Sequence, residues 1–125
     1  MKAIQIGLLG LGTVGSGVVK IIKNHQDKLM HQVGCPVVVK KILVQDLYKT
    51  RPVDVDPVLL TSSPADILHD PEIDVVIEVM GGVKETKEYL LGALRQGKHV
   101  VTANKDLMAL HGSELLSVAS ENWCD

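Results

Sequence analysis

Lys105 is the residue whose position most asks for a chemical reason. The stretch VVTANKDLMALHG, Val100 to Gly112, reads as a buried strand that ends in Thr102-Ala103-Asn104-Lys105 and is followed by a short helical pattern. An amine at the carboxyl end of a strand can hold a carbonyl or hydroxyl oxygen, or contact a ribose, in a site that excludes water. The alternative is a lysine at a helix start pointing to water, since surface lysines are common. A second constellation lies near the N-terminus. Gly10-Leu11-Gly12-Thr13-Val14-Gly15 follows an apolar run without a gap and opens a helical pattern.

A GxGxxG set is weak evidence alone, but the strand before it and the helix after it supply the context that dinucleotide binding needs. Gly10 would permit the tight turn, Gly12 the approach of a pyrophosphate to the backbone, and Gly15 close packing of helix on strand. The free amides near Thr13 and Val14 would receive the phosphates. The same fold expects an acid at the end of the second strand to grip the adenosine ribose. Asp46 is the candidate, 31 residues beyond Gly15, whereas the usual interval is about 20. A carboxylate there favours NAD, while Lys49 and Arg51 could neutralise the extra phosphate of NADP. The choice between NAD and NADP stays open, as does a solvated charged turn at these three residues.

The elements that must position these groups are legible from hydrophobic periodicity. Ala3–Leu9 is a nearly continuous apolar run, as expected of a strand buried on both faces. Val14, Val18, Ile21 and Ile22 mark the apolar face of the next helix, which fades into the polar segment from His25 to Gln32. Gly34 and Pro36 break the chain before a β-branched run, Val37 to Val44. Pro52, Asp54, Asp56 and Pro57 suggest a surface loop, with a short strand at Val58-Leu59-Leu60. A short helix starts at Ser63-Pro64, with Ser63 as cap, and ends at His69-Asp70-Pro71. Asp74–Val79 is a further buried strand. It is followed by a helix from about Lys84 to Gln96 whose apolar face is Tyr89, Leu90, Ala93 and Leu94, with Gly97 at its end. Lys98–Thr102 is a strand and Ser113–Glu121 an amphipathic helix. This alternation implies right-handed crossovers and an α/β, Rossmann-type doubly wound parallel sheet with helices on both faces.

Composition narrows the classes. The 125 residues suffice for one domain, with no linker, repeat or low-complexity tract. The formal charge of −2 carries no basic bias toward nucleic acid. No apolar run approaches the ~20 residues of a membrane span. Cys35 and Cys124 lie far apart and match no metal or redox spacing, so they read as free thiols in a reducing compartment, the cytoplasm. The five histidines do not cluster at ligand spacing, and no metal site is expected. Glu78, at a strand end, could contact the site or pair locally.

Three blocks, IGLLGLGTVGSGVV, DVVIEVMGG and above all GKHVVTANKDLMALHGSEL, resemble the N-terminal nucleotide-binding domain of homoserine dehydrogenase, in the right order and over essentially the whole chain. The last block is the most specific. Sugar-type oxidoreductases with a related strand tend to carry EKP after GKHV, where this chain has TANK. The resemblance implies NAD(P)-dependent interconversion of L-homoserine and L-aspartate 4-semialdehyde, toward threonine and methionine. Gly10, Leu11, Gly12, Thr13, Val14 and Gly15 would then bind the pyrophosphate. Met80, Gly81, Thr102 and Lys105 would lie along the cofactor, with Lys105 nearest the substrate and catalytic. Members that use NADP often carry Arg where this chain has Gln45. The family continues beyond ENWCD into a substrate and dimerisation region, so residues 1–125 are read as the NAD(P)-binding domain of a homodimer or larger assembly. This chain alone is expected to have little or no activity. Two other readings stand beside that one: a dinucleotide-binding module without chemistry of its own, and another dehydrogenase on the same fold.

Overall fold

The computed structural model describes residues 2–51 and 53–125, so Pro52, part of the expected loop, lies outside the described residues. The chain runs β1 (Ile4–Leu9), α1 (Thr13–Asn24), α2 (Gln26–Val33), β2 (Val37–Leu43), β3 (Leu60–Thr61), α3 (Ala65–Leu68), β4 (Val75–Glu78), α4 (Lys84–Arg95), β5 (His99–Thr102) and α5 (Lys105–Glu121). All strand pairs are parallel, and the sheet order is β3-β2-β1-β4-β5. The Rossmann-type expectation holds. The order reverses beside β1, and ligands on such sheets lie outside the carboxyl ends of the strands at that switch point.

Alternate residues of β1 serve opposite faces. Leu9 packs with Val76, Ile67, Leu90, Leu94, Leu107 and Leu115 in the cluster beneath α3, α4 and α5. Ile6 and Leu8 point the other way, toward Ile22 and Val19 of α1. Gly7 is required on the first face, because a Cβ there would stand 2.5 Å from the Ile67 side chain.

Several expectations are corrected. The buried face of α1 is Gly15, Ser16, Val19 and Ile22, while Val14 and Ile21 are 60% and 58% exposed. The need to press Gly15 against the turn sets the rotation of the helix, so the stripe of β-branched residues does not define its buried side. The polar segment after it forms α2, which has no buried residue and ends at the left-handed Gly34. Pro57–Leu59 is a single 3-10 turn, and pairing begins only at Leu60. No side chain, that of Ser63 included, caps α3; the Thr61 hydroxyl instead braces the turn before it, accepting from the Ser63 N–H (3.0 Å) and donating to Asp66 (2.5 Å). The last helix does not begin at Ser113: α5 is continuous from Lys105 through a buried Gly112. β5 is a half-open edge strand, with Val101 55% exposed. Its Val100 side joins the α4–α5 core, but α1 packs over β1 and β2 and leaves the Val101 side uncovered. Cys35 and Cys124 are free, as expected.

Candidate functional site at the carboxyl edge of the sheet

The glycine turn has the geometry its three positions require. Gly10 sits at φ +107°, and a Cβ on it would come within 3.1 Å of the Met80 backbone. A Cβ on Gly15 would stand 2.4 Å from the Gly10 carbonyl oxygen, so the first turn of α1 lies directly against the loop. A Cβ on Gly12, by contrast, would meet nothing within 4 Å. Gly12 is therefore the point where an outside group can reach the backbone. No side chain caps α1 and no acid stands in its first turn, so the amides of Thr13 and Val14, which have no helical acceptor, face an anion site of positive potential. These residues fit a pyrophosphate.

On one side of the turn lies a cavity of about 860 Å³ lined by Gly10, Leu11, Gly12, the β2 end from Leu43 to Asp46, Lys49 and Arg51. Asp46 accepts a hydrogen bond from the Tyr48 N–H (2.9 Å), which turns its carboxylate into its own loop. The Arg51 guanidinium donates to the carbonyls of Lys49 and Asp46, and this fixes it at the rim. Ser62, Pro64, Met80, Glu85 and Tyr89 complete the wall. Sequence reasoning did not assign Ser62, Pro64 or Glu85 to the site and read Tyr89 as core. The available signal was the place of Ser62 just after β3, of Pro64 at the start of α3 and of Glu85 and Tyr89 in the first two turns of α4, at the edge where ligands bind.

On the other side, sharing Val79 as a wall, is a cavity of about 430 Å³ lined by Val14, Glu78, Gly81, Ala103, Asn104, Lys105 and Asp106. Lys105 opens α5 and is exposed, directly after Asn104, whose side chain caps the helix by accepting from the Leu107 N–H (3.0 Å). Met80 and Gly81 belong to the turn after β4, with Gly81 and Gly82 both in the left-handed region. Thr102 lies beneath, hydrogen-bonded to Glu78 (2.5 Å). The expected residues thus fall along one edge. Glu78 is buried and pairs locally through three donors, with no cation partner among the described residues.

Residues 10–125 match the family described as homoserine dehydrogenase, NAD binding domain. The chain is 69% identical over 125 residues to homoserine dehydrogenase of Bacillus subtilis, covering all of this chain and 29% of that protein. It is 43% identical over 118 residues to the Corynebacterium glutamicum homoserine dehydrogenase, covering 94% of this chain and 26% of that one. The crystal structure of S. aureus homoserine dehydrogenase at pH 8.5 aligns with a TM-score of 0.92 at 46% identity, over 99% of this chain and 31% of that one. A hyperthermophilic archaeal homoserine dehydrogenase in complex with NADPH aligns at TM-score 0.71 and 24% identity, over 96% of this chain and 41% of that one, a likeness of fold. The chain spans less than a third of the length of the two curated relatives named.

Proposed function

The chain belongs to the homoserine dehydrogenase family, as its NAD-binding domain, and on that premise we propose that it holds the dinucleotide of an enzyme interconverting L-homoserine and L-aspartate 4-semialdehyde. The observation that carries this reading is the contrast between Gly12, open to an approaching group, and Gly15, sealed against the Gly10 carbonyl. Gly10, Leu11, Gly12, Thr13, Val14 and Gly15 bind the pyrophosphate. The adenosine occupies the larger cavity by Asp46 and Lys49, and the nicotinamide end lies toward Met80, Gly81, Thr102 and Lys105. When bound, the cofactor supplies hydride transfer. Lys105 contributes a positive charge that orients and stabilises an oxygen at the reacting end. A further region of the full protein supplies the substrate-binding groups and the dimer contact, and the enzyme serves threonine and methionine synthesis in the cytoplasm. No helix of the described residues is long and apolar enough to cross a membrane.

NADP is the better fit of the two cofactors. The Asp46 carboxylate is engaged by its own loop, while Lys49 and the anchored Arg51 leave two cations at the rim. Lys49 and Arg51 can pair with an additional phosphate, against the Asp46 and Glu85 carboxylates on the same wall. Calorimetric titration of the chain with NADP and with NAD tests this. NADP should bind more tightly, and Lys105→Ala should weaken both by about tenfold, the loss of one charge-assisted contact. Failure of the wild-type chain to bind either cofactor would refute the reading, and equal affinities would refute the preference.

A further inference from the structure

Among the described residues Glu78 is the one fully buried carboxylate at the site edge, and a dinucleotide site has no evident need of it. It is 1% exposed, and all its partners are donors. Oε2 accepts from the N–H groups of Met80 and Gly81, both at 2.9 Å, and Oε1 accepts from the Thr102 hydroxyl at 2.5 Å. The chain of bonds continues. The Thr102 oxygen accepts from the Asn104 N–H at 3.0 Å, and the Asn104 amide nitrogen donates to the Gly82 carbonyl at 2.5 Å. A closed circuit therefore ties the turn after β4 to the turn after β5. Thr86 adds a bond from α4, donating to the Gly81 carbonyl at 2.6 Å.

The circuit has a direction. Two backbone amides and a hydroxyl converge on one group, and the two amides can only donate to it. The carboxylate oxygens accept all three; a glutamine could keep the two amide bonds only by turning its NH2 toward the Thr102 oxygen, which already accepts from the Asn104 N–H, and so would reverse the bond to Thr102. Gly81 and Gly82, at φ +76° and +79°, have no side chains to hold them in this conformation, so the hydrogen bonds must do it. The same circuit sets where α5 begins, since Asn104 is its cap and Lys105 its first residue.

We propose that Glu78 is a positioning residue: through Thr102 and Asn104 it holds the Met80–Gly82 turn and Lys105 in register around the smaller cavity, and so governs binding of the nicotinamide end of the dinucleotide. Thr102 acts within this clamp, beneath the cavity. The proposal rests on the dinucleotide reading above, and its test separates the two. The adenosine end is built mainly on the glycine turn and β2, which the circuit reaches only through Met80, against Gly10 on the wall of the larger cavity, so the nicotinamide end should lose more.

The experiment titrates the chain, by calorimetry, with NADP and NAD and with 2′,5′-ADP and ADP, which stop short of the nicotinamide. Glu78→Gln, which reverses the bond to Thr102 and weakens the hold on the two backbone amides, should weaken NADP or NAD by about tenfold or more, and leave 2′,5′-ADP and ADP within about twofold. Thr102→Val, which removes the hydroxyl while keeping the branched shape, should reproduce that split, and Thr102→Ser should restore affinity for the whole cofactor. It also tests the clamp if Glu78→Gln fails to fold. Equal losses for whole cofactors and fragments, or no loss at all, would overturn the proposal and leave Glu78 a core hydrogen-bonding group. A wild-type chain that binds fragments and cofactors alike with no measurable affinity would overturn the dinucleotide reading, and the clamp with it.

Discussion

Two lysines bracket β5 and meet opposite fates. Lys98 precedes the strand at the amino edge of the sheet and is 3% exposed; its ammonium donates to the carbonyls of Asp70 and Ile73, the latter at 3.0 Å. Lys105 follows the strand at the carboxyl edge, stands exposed on a cavity wall and has no ion-pair partner among the described residues. The surroundings match. Beside Lys98, Lys40 pairs with Asp70 at 2.6 Å and Glu72 at 3.4 Å, and the Asp74 carboxylate accepts from the Gln5 N–H. At the other edge the helix-start amides, Lys49 and Lys105 are left with capacity to bind. At the amino edge a smaller cavity of about 320 Å³ remains beside Lys98, but Lys40 there is paired and Lys98 is bonded to carbonyls. The carboxyl edge leaves Lys49, Lys105 and the helix-start amides without such partners among the described residues.

That contrast can be broken most forcefully at Lys98. Lys98→Met should destabilise the chain by about 2–3 kcal/mol in urea unfolding, because two buried carbonyls lose their donor. Affinity for 2′,5′-ADP should be unchanged. A smaller effect than about 1 kcal/mol would mean that water replaces the ammonium.

The acid limb of stability sharpens the same comparison at a smaller scale. The Lys40 ammonium bonded to Asp70 holds that carboxyl below its ordinary value of 3.8. The folded state therefore binds the Asp70 proton less readily than the unfolded state. The resulting stabilisation is present above 3.8 and is lost as pH falls through the lower folded value. Asp70→Asn should flatten that limb and cost about 0.5–1 kcal/mol at neutral pH, the range for a partly exposed pair. On the alkaline side two effects oppose. Hydrogen bonding to Asp70 raises Lys40, whose contribution fades as pH rises through its folded value, whereas desolvation lowers Lys98, which favours the fold as it deprotonates. Chemical denaturation across pH reads both.

The smallest expected stability effect is at the open edge. Lys105→Met should change stability by no more than about 0.5 kcal/mol, the usual range for a surface site, although the same position is expected to matter for binding. A larger loss would show that Lys105 supports the fold and would bring the two edges closer in kind.

Much of this was legible without coordinates. The apolar runs of β1, β2 and β4, the glycine turn and the helix ending at Gly97 appear where periodicity and turn residues put them. Asp46, Lys49, Gly81 and Lys105 were singled out and do line the two cavities. Two of the misses share one cause. Val14 and Ile21 look like core residues because their spacing is helical, but which side of a helix is buried depends on what packs against it. Val101 looks like core because its neighbours are apolar, yet strand order makes β5 an edge.

Local chemistry therefore determined the element types and the glycine turn, because propensity, hydrophobic period and left-handed glycines act within a few residues. Tertiary structure alone decided which groups share a cavity. Ser62, Glu85 and Tyr89 meet the glycine turn, and Glu78 meets Thr102, only once five parallel strands bring their carboxyl ends to one edge. The same holds for the two lysines. Nothing within a few residues distinguishes a lysine that will be buried against carbonyls from one that will stand free, because burial is a property of the packed sheet.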